Sequence, residues 1–178
     1  AWQYYYGGGS SNVVPETPFM PLVEAMRAEG IDAGYHESVW KVDNGGFVNV
    51  GNVAKAQRFA AEADVTVMCV GNPYSVECEG SDRQHIRLAK DEVEAIHHLA
   101  RVANKMVVCV YAGAAVDMSE WIDEVDAVVW AGYGGQHGNK ALAEVLSGKI
   151  NPSGRLTETF PLNLSDVPAE NSYRDGAV

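Results

Sequence analysis

Two spacings of apolar residues alternate between Pro18 and Val145, one with the period of a helix and one with the continuous run of a buried strand. A first helix is expected to start at Thr17-Pro18, with the Thr hydroxyl as cap and Pro in the first position. Phe19, Leu22, Val23 and Met26 then share one face, and Gly30 ends it. Residues 31–35 read as a short strand, 43–46 as a turn and 53–63 as an amphipathic helix. Residues 65–70 read as a continuous apolar strand, as expected when both sheet faces are covered, and 106–111 and 126–131 as two further buried strands. Helices are expected at 90–103, at 119–124 with Ser119 as cap, and at 139–146, followed by a last strand at 156–160 that Pro161 stops. Strand–helix units joined by short links imply a three-layer α/β sandwich, a mostly parallel central sheet flanked by helices. Residues 1–161 form this domain, and the polar stretch 162–178 reads as a linker or tail.

A chain of 178 residues suits one domain, and an apolar fraction of 47% can fill its core. The net charge of −11 argues against nucleic acid and against an anionic membrane surface, both of which need clustered Lys and Arg. No apolar run approaches the roughly 18 residues that span a bilayer. Cys69, Cys78 and Cys109 lack CxxC spacing, so neither a disulfide framework nor a zinc site is expected. Cys69 and Cys109 fall in strands expected to be buried, where a free thiol behaves as a small hydrophobe. Free thiols favour a reducing compartment, hence the cytoplasm. The start at Ala1-Trp2, with no initiator Met and no visible signal peptide, reads as a piece of a longer protein, and secretion of that parent stays open. The five histidines have no ligand spacing, and the adjacent His97 and His98 point apart on a helix, so no metal or other cofactor is expected.

Chemistry concentrates where the strand at 65–70 runs into Gly71-Asn72-Pro73. The loop that follows carries Glu77, Glu79, Asp82 and Arg83. In open α/β sheets ligands bind beyond the carboxyl ends of the strands, so acids here can be aimed at a substrate. Taken alone, such a loop reads first as a solvated acidic turn. No Gly-x-Gly-x-x-Gly or P-loop follows any strand, which sets aside a nucleotide-binding domain of the same architecture.

Four motifs change the weighting. Glu79-Gly80-Ser81-Asp82-Arg83 resembles the Glu-Gly-x-Asp-Arg loop in the second domain of family 3 glycoside hydrolases of the β-glucosidase type. Gly132 to Gly138 (Gly-Tyr-Gly-Gly-Gln-His-Gly) is similar to that domain's Pro-Gly-Gln-x-Gly turn, and Gly148 to Pro161, with Asn151-Pro152-Ser153-Gly154, to its ending. Gly8-Gly9-Ser10-Ser11 matches its opening turn. The motifs occur in family order over roughly residues 7–161. The resemblance implies part of a retaining β-glycosidase acting on a β-linked oligosaccharide or glycoside. The partner it implies is a (β/α)8 barrel carrying the nucleophilic Asp, which this chain lacks, so the isolated chain is expected to be inactive. Glu79 takes the general acid/base position, with Glu77 as runner-up, and Asp82 and Arg83 brace the loop or touch sugar. Asp117 and Trp121 match structural positions of the family, while Trp2 and Tyr4 to Tyr6 replace its usual aliphatic first strand and pack structurally or stack on sugar. Residues 111–116 replace the more usual Asn-x-Gly-x-Pro-Val and His137 stands where Glu is common, two departures at strand ends facing the expected cleft. The alternative is a non-catalytic carbohydrate-binding or scaffold module on the same fold.

Overall fold

A computed structural model describes residues 12–35, 40–43, 46–49, 53–73, 75–80 and 82–169. The Gly-Gly-Ser-Ser turn, the Trp2 and Tyr4 to Tyr6 cluster and Ser81 lie outside them. The sheet is β3 (Thr66–Gly71), β4 (Met106–Tyr111) and β5 (Ala127–Trp130), parallel throughout and in the order β3-β4-β5. The β3–β4 ladder runs from Thr66 beside Met106 to Gly71 beside Tyr111, and the β4–β5 ladder from Val107 beside Ala127 to Val110 beside Trp130. A separate antiparallel pair, β1 (Trp40–Asp43) and β2 (Gly46–Asn49), precedes it.

Alternation along β4 builds both halves of the core. Met106, Val108 and Val110 point to one face, where Ile96 of α3 (Lys90–Ala100), Val116 and Trp121 pack over them. Cys109 and Tyr111 point to the other, against Leu142 of α4 (Gly138–Leu146) and Leu22 of α1 (Leu22–Ala28). α2 (Val53–Glu62) packs on α3, and Gln57 Nε2 donates to the His98 carbonyl at 3.0 Å. Helices therefore lie on both sides of a parallel sheet, the three-layer arrangement read from the sequence.

α1 begins at Leu22 with Pro21 as its cap residue, not at Pro18. A helix begun at Pro18 would hold Pro21 where an amide must bond back to residue 17, and proline has none to give. The Thr17 hydroxyl instead accepts from Gln136 Nε2 at 2.8 Å. Gln136 Oε1 accepts from the Glu16 amide at 3.1 Å, Asn139 Nδ2 donates to the Met20 carbonyl at 2.9 Å, and Lys149 Nζ reaches Glu29 at 3.0 Å. These bonds tie residues 16–29 near the start of the described chain to α4 and the residues on either side of it.

Residues 31–35 form no strand. The Ala33 amide bonds to the Ile31 carbonyl at 2.8 Å, and Arg27 Nε donates to the Ala33 carbonyl at 2.7 Å, so local turns use these groups. Residues 156–160 form no strand either: Leu156 is 61% exposed, and only Phe160 packs, edge-on to Trp130 at 4.8 Å. Ser119 does not cap a helix; its amide and hydroxyl donate to Asp117 Oδ1, and a short 3-10 turn follows at Ile122–Glu124. Cys69 is exposed, because β3 is the edge strand of the described sheet, whereas Cys109 on the central strand is buried.

Candidate active site

The carboxyl ends of β3, β4 and β5 lie side by side, and one carboxylate joins them. Pro73 starts a tight turn after β3 in which its carbonyl accepts the amides of Val76 at 2.9 Å and Glu77 at 3.0 Å. The turn swings Glu77 back across the strand ends. Glu77 Oε2 accepts from Asn72 Nδ2, just after β3, at 2.8 Å. Glu77 Oε1 accepts from the Gly113 amide, just after β4, and from the Tyr133 hydroxyl, just after β5, at 3.0 Å. Gly113 must be a glycine here, since a Cβ would lie 2.7 Å from Tyr133 Cε2 and closer still to Glu77. Burial, and then the Glu77 carboxylate, push the Tyr133 phenol well above its ordinary value of 10, so it stays protonated and donates.

Arg83 closes the arrangement. Its Nη1 donates to the Ala115 carbonyl at 2.9 Å and lies 3.9 Å from Glu77 Oε2. The Glu77 side chain is 15% exposed and that of Arg83 17%. The carboxylate facing Arg83 is thus Glu77, and Asp82 is exposed beside it. Glu79 is exposed on the turn that ends at Gly80, whose φ of +81° is a backbone conformation L side chains rarely adopt. The loop therefore presents Glu79 outward from the carboxyl edge while Glu77 is turned inward.

Beneath the loop lies a carboxyl that the sequence reading did not single out. Glu92, in the first turn of α3, is 3% exposed. Its Oε1 accepts from the Gly71 amide at 3.1 Å, and Oε2 has no hydrogen-bond partner among the described residues. Burial pushes it from an ordinary 4.5 up to about 8, opposed only in part by the backbone amides of Gly71 and Ala89. Asn72, Tyr133 and Glu92 also escaped that reading, although Asn72 and Tyr133 stand at strand ends in motifs already noticed.

Asp117 accepts from Ser119 and faces Arg87 at 3.8 Å, while Trp121 is 1% exposed in the core, so both serve packing. Ala112 and Val116 are buried in the core, whereas Ala115 lines a cavity with Arg83 and Ile86. Among the described residues no three His, Cys, Asp or Glu side chains are grouped to hold a metal ion, and no helix is long and apolar enough to cross a membrane.

Residues 1–177 match the Glycosyl hydrolase family 3 C-terminal domain. The chain is 36% identical to Thermostable beta-glucosidase B of Acetivibrio thermocellus over 168 residues, 93% of this chain and 22% of that protein. It is 28% identical to the Exo-alpha-(1->6)-L-arabinopyranosidase of Bifidobacterium longum over 169 residues, covering 93% of this chain and 21% of that protein. The crystal structure of a GH3 beta-glucosidase from Bifidobacterium adolescentis aligns with a TM-score of 0.83 at 29% identity, covering 94% of this chain and 24% of that one. The chain thus spans about a fifth to a quarter of the length of these three relatives.

Proposed function

The chain belongs to the C-terminal domain family of the family 3 glycosyl hydrolases, and from that premise we propose that it supplies the proton-transfer half of a retaining glycosidase of β-glucosidase type. Glu79 is the general acid/base. It protonates the glycosidic oxygen as the bond to the leaving group breaks, then takes a proton from the water that releases the sugar. The nucleophile is an Asp on a (β/α)8 barrel outside this chain, brought to about 5–5.5 Å from Glu79 as retention requires. The substrate is a β-linked glycoside or a glycoside of like geometry. Asp82 flanks the acid, and Arg83 braces its loop.

One observation carries the reading: of the two glutamates in this loop, Glu79 is exposed at the carboxyl edge of the sheet, whereas the Glu77 side chain is turned inward and only 15% exposed. An acid that must reach a substrate on another domain needs the first situation, not the second.

The test is Glu79→Ala in the complete enzyme. Turnover of aryl glycosides with poor leaving groups should fall by about 10²–10⁴-fold, and that of activated ones much less, because a good leaving group departs unprotonated. Azide should restore part of the second step by filling the space of the lost carboxylate. If activated and unactivated substrates lose activity alike and azide does nothing, Glu79 is not the acid. Full activity in the variant would return this domain to the role of a non-catalytic module.

A further inference from the structure

Glu77 lies two residues before Glu79, yet its carboxylate faces the opposite way, into the ends of all three parallel strands. We propose that Glu77 is the positioning residue that holds the Glu79 loop at the carboxyl edge of the sheet, an inference that rests on Glu79 being the acid/base. Four groups converge on it: the Asn72 amide from β3, the Gly113 amide from β4, the Tyr133 hydroxyl from β5, and the Arg83 guanidinium from the far side of the loop. Each arrives from a different segment, so the carboxylate fixes the loop in three directions at once. Its neighbour Arg83 is held in turn by the Ala115 carbonyl at 2.9 Å. A carboxylate suits this place because all four partners are donors and it offers only acceptors. The bonds are charge-assisted and largely shielded from water, so they hold more firmly than neutral ones.

The chemical consequence is specific. Proton transfer to the leaving oxygen needs the acid within hydrogen-bond reach, and misplacement by about 1 Å costs about 10²-fold. Loss of Glu77 therefore weakens the step in which a proton is delivered, while the carboxyl of Glu79 itself remains.

The experiment compares Glu77→Ala, Glu77→Gln, Tyr133→Phe and Glu79→Ala in the complete enzyme, on a series of aryl glycosides that the unaltered enzyme cleaves. Glu77→Ala should lower kcat/KM about 10²-fold for poor leaving groups and less than about 10-fold for activated ones, without azide rescue and with the basic limb of the pH profile kept. Glu77→Gln keeps an acceptor for Gly113 and Tyr133 and should recover much of the loss. Tyr133→Phe removes one donor from an otherwise intact site and should shift leaving-group dependence in the same sense by a few-fold, about 3–10, even if Glu77→Ala does not fold. A loss shared equally by all leaving groups would overturn the proposal, as would unchanged kinetics in both Glu77→Ala and Tyr133→Phe. Azide rescue of Glu77→Ala with loss of the basic limb would make Glu77 itself the acid and sink the Glu79 reading as well. If Glu79→Ala shows rescue and leaving-group dependence while the Glu77 and Tyr133 variants do not, only the positioning inference fails.

Discussion

Replacing Glu92 with Gln should remove most of a pH dependence that this carboxyl imposes on the stability of the domain. The group is 3% exposed, and burial raises it from 4.5 to about 8 in the folded state. Below about pH 4.5 it is neutral folded and unfolded alike, and its ionisation costs nothing. Between there and pH 8 the unfolded chain gives up the proton while the folded chain keeps it, so folding loses about 1.4 kcal/mol per pH unit. The stability is therefore full at acid pH and is lost as pH rises through the folded value. The total comes to about 3–5 kcal/mol above pH 8, allowing for relaxation around the charge. Glutamine keeps a carbonyl for the Gly71 amide but puts an NH₂ where Oε2 has no partner among the described residues, a pH-independent cost of about 1–3 kcal/mol. The variant should thus melt below the parent at pH 5 and above it at pH 9. For a domain of this size 1 kcal/mol is about 2–4 °C, so the difference in Tm between the two proteins should change by about 5 °C or more across that range. Thermal melts of both at half-unit steps of pH give the comparison directly. Parallel curves from pH 5 to 9 would mean that Glu92 is already ionised in the folded protein, and would refute the reasoning.

Gly71→Ala should be among the most damaging single methyl additions in the chain, because the new Cβ would run into the backbone carbonyl of Tyr111 in the neighbouring strand. A loss of about 3 kcal/mol or more is expected from forcing the β3–β4 ladder apart at its carboxyl end, read as a lowered denaturation midpoint, and a stable, unshifted variant would contradict the strand register. With the nucleophile proposed to lie on another domain, the 178-residue chain by itself should show no turnover of aryl glucosides above buffer; turnover that Glu79→Ala abolishes, in chain free of any barrel domain, would refute this.

How far the sequence disclosed the fold depended on what each segment packs against. β4 is legible to the residue because its six positions are apolar and covered on both faces, a condition that leaves its mark on every side chain. Residues 156–160 carry a similar strand-like pattern, but a strand exists only where a neighbour offers an open edge, and no local pattern reports that. The start of α1 turned on whether the helix accepts Pro18 or Pro21, and only the second leaves every later amide free to bond. In the site, the motif drew attention to this loop and could not say which of two glutamates faces in. That choice is made by Asn72, Gly113 and Tyr133, whose distances from Glu77 along the chain range from 5 to 56 residues. Glu92 was hidden for a related reason: a glutamate in the first turn of a helix is ordinary in sequence, and only the strand laid over it makes it buried.

The bonds between residues 16–29 and 136–149 span 119 or 120 positions of the chain. On a ribosome, α1 is made early, and the surface that receives it is among the last parts of the described domain to emerge. Until then Leu22 has no Leu142 or Leu146 to lie against, and the Cys109 face of the sheet stays open to other chains. Closing so long a loop costs little more than closing one half its length, so the penalty is one of waiting rather than of stability. A nascent chain halted before Gly138 would lack α4 and leave α1 alone to cover that side of the sheet.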